Sequence, residues 1–116
     1  MAMSPSLLIA GCGDVGGRLA SRLISQGWQV HGLRRSISAL PQGVLPVAGD
    51  LAQSQCPADW PEGPLDYLVY CAAANESTEA GYRAAYIEGL RHVLGWLREH
   101  GQMPRRVLFV SSTSVY

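Results

Sequence analysis

The sequence predicts an α/β domain of three layers, in which helices cover both faces of a parallel β-sheet. Two observations predict this fold class. Short apolar runs without polar alternation recur along the 116 residues, as expected for strands that are buried on both faces. Segments with apolar residues at helical spacing lie between some of these runs, and this alternation is typical of parallel sheets. Right-handed crossovers then arrange about five strands in the order 3-2-1-4-5.

The elements can be placed along the chain from these patterns. Strands are predicted at residues 7–10, 28–33, 44–48, 67–74 and 106–110, and helices at residues 14–26 and 78–100. Gly27 and Gly101 stand where the two helices are expected to end. Residues 52–65 are rich in proline and are predicted to form a surface connection in place of a full helix.

Each predicted helix has an apolar face that we expect to pack on the sheet. In the first helix this face contains Val15, Leu19 and Leu23. In the second helix it consists of Tyr82, Tyr86, Leu90, Val93, Leu94 and Leu97. Gly89 and Gly95 interrupt the second helix, each at a cost of up to about 1 kcal/mol relative to alanine. A close packing contact is expected to explain Gly89.

Composition favours a single globular domain. Hydrophobic residues make up 47% of the chain and charged residues 16%, which excludes an intrinsically disordered protein. The formal net charge is zero, which argues against nucleic acid or an anionic membrane surface as a partner. Three cysteines, Cys12, Cys56 and Cys71, show no CxxC spacing, so reduced thiols and a cytoplasmic location are expected.

A glycine-rich stretch follows the first predicted strand. Gly11 is expected to turn the chain out of the strand, Gly13 to admit a pyrophosphate close to the backbone, and Gly16 to allow close helix–strand packing. The residues between them complete this part of the candidate site: Cys12, Asp14 and Val15. A strand before the loop and an amphipathic helix after it favour a dinucleotide loop over an ordinary turn.

The end of the second predicted strand indicates which dinucleotide is bound. An NAD-preferring site has an acidic residue there, whereas this chain has Arg34 and Arg35, followed by Ser36. Guanidinium groups suit a 2′-phosphate, so NADP is predicted in preference to NAD. The alternative is that the arginines only form a solvated strand end.

Two further strand ends are expected to contribute to the site, because ligands of this fold lie over the carboxyl ends of the strands. Asp50, followed by Leu51, is a candidate acceptor for the adenine amino group, or alternatively a cap of the following turn. Ala72, Ala73 and Ala74 end the fourth strand and complete the candidate cofactor-binding residues. No cluster of histidine and cysteine with metal-ligand spacing is evident, so no metal site is predicted.

These motifs, together with YIEGLRHVL and the terminal VLFVSSTSVY, resemble the extended short-chain dehydrogenase/reductase superfamily. The resemblance is closest to an atypical, nucleoside-diphosphate-sugar epimerase-like branch, and it implies a Rossmann-type fold over residues 7–116 after a flexible segment 1–6. It also implies a catalytic role for Ser112, a small-molecule substrate, which could be a sugar nucleotide, and a separate Tyr-x-x-x-Lys motif. This chain departs from the family pattern at Ala10, where glycine is usual, and at Tyr86, where asparagine is usual.

The resemblance further implies that the chain is the cofactor-binding half of a reductase, epimerase or dehydratase. On its own it is expected to bind nucleotide without completing catalysis. Its fifth strand would then be an exposed sheet edge, so a homo-oligomer is expected through that edge or the long helix. The alternatives are a non-catalytic NAD(P)-sensing regulatory domain and a Rossmann scaffold used only for protein contacts.

Overall fold

The computed structural model describes residues 4–71, 80 and 83–110, and it contains the predicted parallel sheet. The strand order β3-β2-β1-β4-β5 confirms the predicted topology, and every neighbouring pair is parallel. The strands are β1 Ser6–Ala10, β2 Gln29–Arg34, β3 Leu45–Ala48, β4 Tyr67–Tyr70 and β5 Arg106–Phe109. The helices are α1 Asp14–Ser25 and α2 Gly89–Glu99; a π-helical segment, Ala84–Glu88, leads into α2, and a short 3-10 turn is at Ile37–Ala39.

Both helices end at the predicted glycines. Gly27 and Gly101 have φ angles of 89° and 63°, in the left-handed region that favours glycine. After α1, the N–H of Trp28 donates to the carbonyl of Leu23 at 3.0 Å. After α2, the N–H of Gln102 donates to the carbonyl of Leu97 at 2.9 Å. Both ends are therefore Schellman motifs, in which the left-handed residue lets the chain reverse onto the last helical turn.

The sheet divides the core into two layers, as the continuous apolar strands predicted. On one face, Leu8 and Ala10 of β1 pack with Leu68 and Tyr70 of β4 and with the buried side of α2. On the other face, Leu7 and Ile9 pack with Ala20 of α1. Alternate side chains of one strand therefore enter opposite layers, which requires apolar residues at successive positions.

The predicted helical faces need two corrections. Leu94 was expected to be buried but is 45% exposed, whereas Trp96 is 2% exposed and packs in the core. The buried positions of α2 lie along Val93, Trp96 and Leu97, and Leu94 is beside this stripe. Val15 is also 56% exposed, because in that turn Gly16 faces Ile9 of β1 and Gly17 faces Pro41. Tyr82 lies outside the described residues.

The remaining predictions on the fold concern the connections and the edges. Turns without a helix join β3 to β4, as the prolines predicted, but the connection does not lie only on the surface, because its residues Trp60 and Leu65 are buried in the core. Strand β5 lies at one edge of the described sheet, and its residues Val107, Leu108 and Phe109 are each about half exposed. Within the described part of the chain, no helix has the length and hydropathy that crossing a bilayer requires.

Candidate functional site

The glycine loop between β1 and α1 is held against strand β2 by two backbone hydrogen bonds. The N–H groups of Gly11 and Cys12 both donate to the carbonyl of Leu33, at 3.0 and 2.9 Å. Gly11 has a φ of 87°, so the turn out of the strand needs glycine there, as predicted. These two N–H groups already have a protein partner, so a ligand would meet the N–H groups further along the loop.

Gly13 is the residue immediately before α1 and is exposed. A β-carbon built on it would meet no atom within 4 Å, so the space beside its backbone is open. Gly13 has no side chain with which to cap the amino terminus of α1. The backbone of the first turn, at Asp14 and Val15, thus presents the partial positive charge of the helix to this space. The side chain of Asp14 lies outside what the structure describes.

Gly16 serves packing, as the glycine spacing predicted. A β-carbon there would lie 3.0 Å from Cγ2 of Ile9 and 3.4 Å from the carbonyl oxygen of Gly11. The first distance is tighter than ordinary van der Waals contact, so a larger residue would push α1 away from β1. The third glycine therefore fixes where the helix amino terminus lies relative to the loop.

Cys12 contributes to the site through its backbone alone. Its side chain is fully buried, and burial raises the pKa of its thiol, while the nearby Arg34 opposes that effect. A thiol that is buried and protonated at neutral pH is a poor nucleophile.

The two arginines after β2 have different environments. The Nη1 group of Arg34 donates to the carbonyl of Cys12 at 3.3 Å, and Arg34 is half-buried. Arg35 is exposed, and so is Ser36, whose hydroxyl lies 3.4 Å from that of Ser38. The structure therefore brings the Arg34 guanidinium to the glycine loop. It records no such contact for Arg35 among the described residues.

The residues after β3 form a local turn. Oδ1 of Asp50 accepts a hydrogen bond from the N–H of Ala52 at 2.9 Å, which is the capping geometry considered as the alternative for this residue. The carbonyl of Leu51 accepts from Nδ1 of His92 at 2.7 Å, which ties the turn to α2. Asp50 is half-buried. Four predicted site residues lie outside the described part of the chain: Ala72, Ala73, Ala74 and Ser112.

Cys71 lies beside this site, although the sequence indicated only that its thiol is reduced. It follows β4, and its N–H donates to the carbonyl of Ala10 at 2.8 Å, next to the glycine loop. Burial raises the pKa of its thiol, and the N–H of Gly16, which points at the sulfur, lowers it. The predicted strand order 3-2-1-4-5 places the end of β4 beside the end of β1. This adjacency could have indicated that Cys71 lies next to the glycine loop.

Comparison with known families places these features in context. The model of the NAD-dependent epimerase/dehydratase family matches residues 7–116. No curated protein matches the chain significantly. The matched region includes every described element of the sheet except the first residue of β1.

Solved structures with the same fold are numerous. A Methylobacillus flagellatus protein assigned as an NAD-dependent epimerase/dehydratase is 37% identical, with a TM-score of 0.68, over 98% of this chain and 39% of its own length. An Agrobacterium tumefaciens short-chain dehydrogenase/reductase superfamily protein with bound NAD is 26% identical, with a TM-score of 0.67, over 90% and 31%. A UDP-galactose 4-epimerase is 22% identical, with a TM-score of 0.72, over 96% and 39%, and at that identity it shows the fold alone. The chain thus spans well under half the length of these proteins.

Proposed function

Because the chain belongs to the NAD-dependent epimerase/dehydratase family, we propose that it is a dinucleotide-binding domain that prefers NADP(H). The observation that carries the proposal is the position of Arg34. Its guanidinium is held at the glycine loop by the carbonyl of Cys12, and the loop leads into the amino terminus of α1. A cation and a set of helix N–H groups at one end of the sheet suit a ligand with several phosphates.

The described residues fit such a cofactor. The open space at Gly13 allows a pyrophosphate to approach the backbone, and the first turn of α1 offers N–H donors to it. The half-buried Asp50 lies after β3, at the same carboxyl edge of the sheet. There its carboxylate could accept a hydrogen bond from the adenine amino group through the oxygen that does not cap the turn. When bound, the cofactor supplies the hydride acceptor or donor.

The NADP preference depends on charge at the end of β2. No acidic residue follows Leu33 where an NAD-preferring site would hold the ribose hydroxyls; Arg34 and Arg35 stand there instead. The half-buried Arg34 would contribute the fixed cation, since its guanidinium is already positioned by Cys12. The exposed Arg35 would contribute a second cation at the solvent side of the 2′-phosphate.

Catalysis by the intact protein would need more than these residues. The chain contains no lysine, so it has no Tyr-x-x-x-Lys pair to lower a tyrosine pKa for proton transfer. We propose that Ser112 orients the substrate oxygen, and that this chain alone binds the cofactor without turnover. The proposed substrate class, a small molecule such as a sugar nucleotide, depends on family membership alone.

Calorimetric titration of the 116-residue chain with NADPH and with NADH tests the cofactor proposal. NADPH is expected to bind more tightly than NADH. Arg34→Ala should weaken NADPH binding by about 10- to 100-fold, as expected for loss of a charge-assisted hydrogen bond, and leave NADH binding nearly unchanged. Gly13→Val should weaken both cofactors, because the added side chain would fill the space at the backbone.

Arg22→Ala is the matched control, because Arg22 lies in the last turn of α1, at the opposite end of the helix. It should bind both cofactors as the unmodified chain does. Tighter binding of NADH than of NADPH would contradict the preference. Binding unaffected by Gly13→Val would contradict the location of the site. Turnover of NADPH by this chain would contradict the proposed need for further residues.

We also propose that the chain associates with itself through β5. The strand lies at the edge of the described sheet and all four of its positions are exposed, of which the three at 107–109 are apolar. Exposed apolar strand edges favour pairing with another chain. Light scattering should show a dimer or larger assembly that Leu108→Lys converts to monomer, whereas Leu94→Lys, on the exposed side of α2, should not. A monomer at moderate concentration would contradict this proposal.

A further inference from the structure

A cysteine, a glutamate and a histidine meet on the side of the molecule away from the glycine loop. Cys56 belongs to the connection between β3 and β4, whereas Glu99 and His100 lie at the carboxyl end of α2. Their sulfur, carboxylate and imidazole ligand atoms all lie within 4.8 Å of one another. Helix α2 runs antiparallel to the strands. Its carboxyl end therefore lies where the strands begin, at the end of the sheet opposite the candidate cofactor site.

His100 is oriented as metal-binding histidines usually are. Its Nδ1–H donates to the carbonyl of Trp96 at 2.8 Å, and because a carbonyl can only accept, the lone pair is left on Nε2. A hydrogen bond of this kind from the second ring nitrogen fixes the tautomer of ligating histidines. The ring also packs against that of Trp60, with centroids 6.0 Å apart.

The support beneath the cluster is buried and fully hydrogen-bonded. Nε1 of Trp60 donates to Oε1 of Gln102 at 2.8 Å. The amide nitrogen of Gln102 donates to the carbonyls of Pro61 and Gly63, each at 2.8 Å. Gln102 is only 6% exposed. The ring that packs on His100 is therefore held in place by Gln102, which is itself fixed to the segment that leads into β4.

The segment that carries Cys56 is held on both sides. Before it, the carbonyl of Ser54 accepts from Nε1 of Trp96 at 3.0 Å. After it, the buried Pro57 packs on the backbone of Gly49, where a β-carbon would lie 2.5 Å from Cγ of the proline. The thiol is therefore presented to the end of α2 by a fixed segment.

The electrostatics of the cluster favour a cation. The last carbonyl groups of α2 carry partial negative charge, and Glu99 adds a carboxylate. Arg98 is the basic residue in the same turn, and it is exposed.

We propose that Cys56, Glu99 and His100 bind one divalent transition-metal ion of the zinc type. Thiolate, imidazole and carboxylate are zinc ligands, whereas magnesium and calcium prefer oxygen ligands alone. Tetrahedral bond lengths of 2.0–2.3 Å place ligand atoms about 3.3–3.8 Å apart, so small rotations of the two exposed side chains complete the geometry. Binding releases the thiol proton to solvent and leaves the fourth position to water.

The bound ion would fasten the connection between β3 and β4 to the end of α2. It would stabilise the folded chain by mass action, since the three ligands converge only in the native state. The site shares no residue with the proposed dinucleotide site, so cofactor binding and metal binding can be tested separately.

Titration of the 116-residue chain with Co²⁺, a spectroscopic probe for zinc sites, tests the proposal. With a phosphine reductant present, a thiolate-to-cobalt charge-transfer band should appear and be displaced by Zn²⁺. Zn²⁺ should also raise the melting temperature. Cys56→Ser and His100→Gln should each weaken Zn²⁺ binding by about 100-fold or more. This exceeds the loss of about 10- to 100-fold that is typical when a residue hydrogen-bonded to a metal ligand is removed.

Cys71→Ser is the matched control, because it removes a half-buried thiol near the glycine loop. It should retain the cobalt band and the shift in melting temperature. Circular dichroism would establish that each variant is folded before titration. Absence of the band in the unmodified chain, persistence of the band in folded Cys56→Ser, or its loss in folded Cys71→Ser would overturn the proposal.

Discussion

The backbone of Gly89, at the start of α2, lies directly against the phenolic hydroxyl of Tyr70 at the end of β4. A β-carbon on Gly89 would overlap the Tyr70 hydroxyl and lie 3.4 Å from Cβ of Leu51. The close contact expected from the interrupted helical pattern is therefore present, and it joins the helix to the sheet and to the turn after β3. Gly95, in the same helix, would meet nothing within 4 Å.

This difference predicts opposite effects for two identical substitutions. Gly89→Ala should destabilise the fold by about 1–3 kcal/mol, because the new methyl group overpacks a buried contact. Gly95→Ala, the control, should be neutral or stabilise by up to about 1 kcal/mol through helix propensity. Urea denaturation measures both changes in the free energy of unfolding. A Gly89→Ala variant as stable as Gly95→Ala would show that Tyr70 moves aside without cost.

Tyr70 also predicts how stability changes at alkaline pH. Burial, with a smaller effect of Tyr86, raises the pKa of Tyr70 to about 12 from an ordinary value of 10.0. Above pH 10 the unfolded chain releases this proton while the folded chain retains it. The free energy of unfolding therefore falls as the pH rises from about 10 to 12. This shift is worth about 2–3 kcal/mol, present below pH 10 and lost by about pH 12.

The measurement is the free energy of unfolding between pH 9 and 12 in the unmodified chain and in Tyr70→Phe. The variant should lose stability less steeply over this interval, because it has no phenol to ionise. Cys12 and Cys71, whose thiol pKa values are also raised, contribute equally to both proteins and cancel. Parallel pH profiles for the two proteins would mean that Tyr70 ionises as freely in the folded state as in the unfolded state.

Gln102 holds together the aromatic packing beneath the end of α2. Replacing it with leucine removes the acceptor for Trp60 and the donors to the carbonyls of Pro61 and Gly63. The cost should be about 2–4 kcal/mol, because buried polar groups lose their partners. Gln53→Leu, at an exposed turn, should change stability little. Equal melting temperatures for the two variants would indicate that water replaces the lost partners.

Several features of the fold could be predicted because they depend on local chemistry. The strands are apolar on both faces, and the helices end at glycines that must adopt positive φ, so Gly27 and Gly101 marked the ends correctly. The strand order followed from the handedness of crossovers, which is set by chain chirality. The two wrong predictions concern the burial of Val15 and Leu94. Each lies at the border of a helix's apolar face, where helical periodicity alone does not determine whether the side chain faces the sheet.

The sequence by itself determined the fold class, the strand order and the carboxyl ends of the helices, and it predicted the glycine loop as the centre of a candidate site. Tertiary structure decided how those residues differ: Arg34 contacts the loop whereas Arg35 is exposed, and Cys71 lies beside Gly16. It also brought Cys56 to His100, which no spacing along the chain indicates. The physical reason is that local patterns report each residue's own backbone and burial, whereas contacts between distant segments depend on how the helices pack on the sheet.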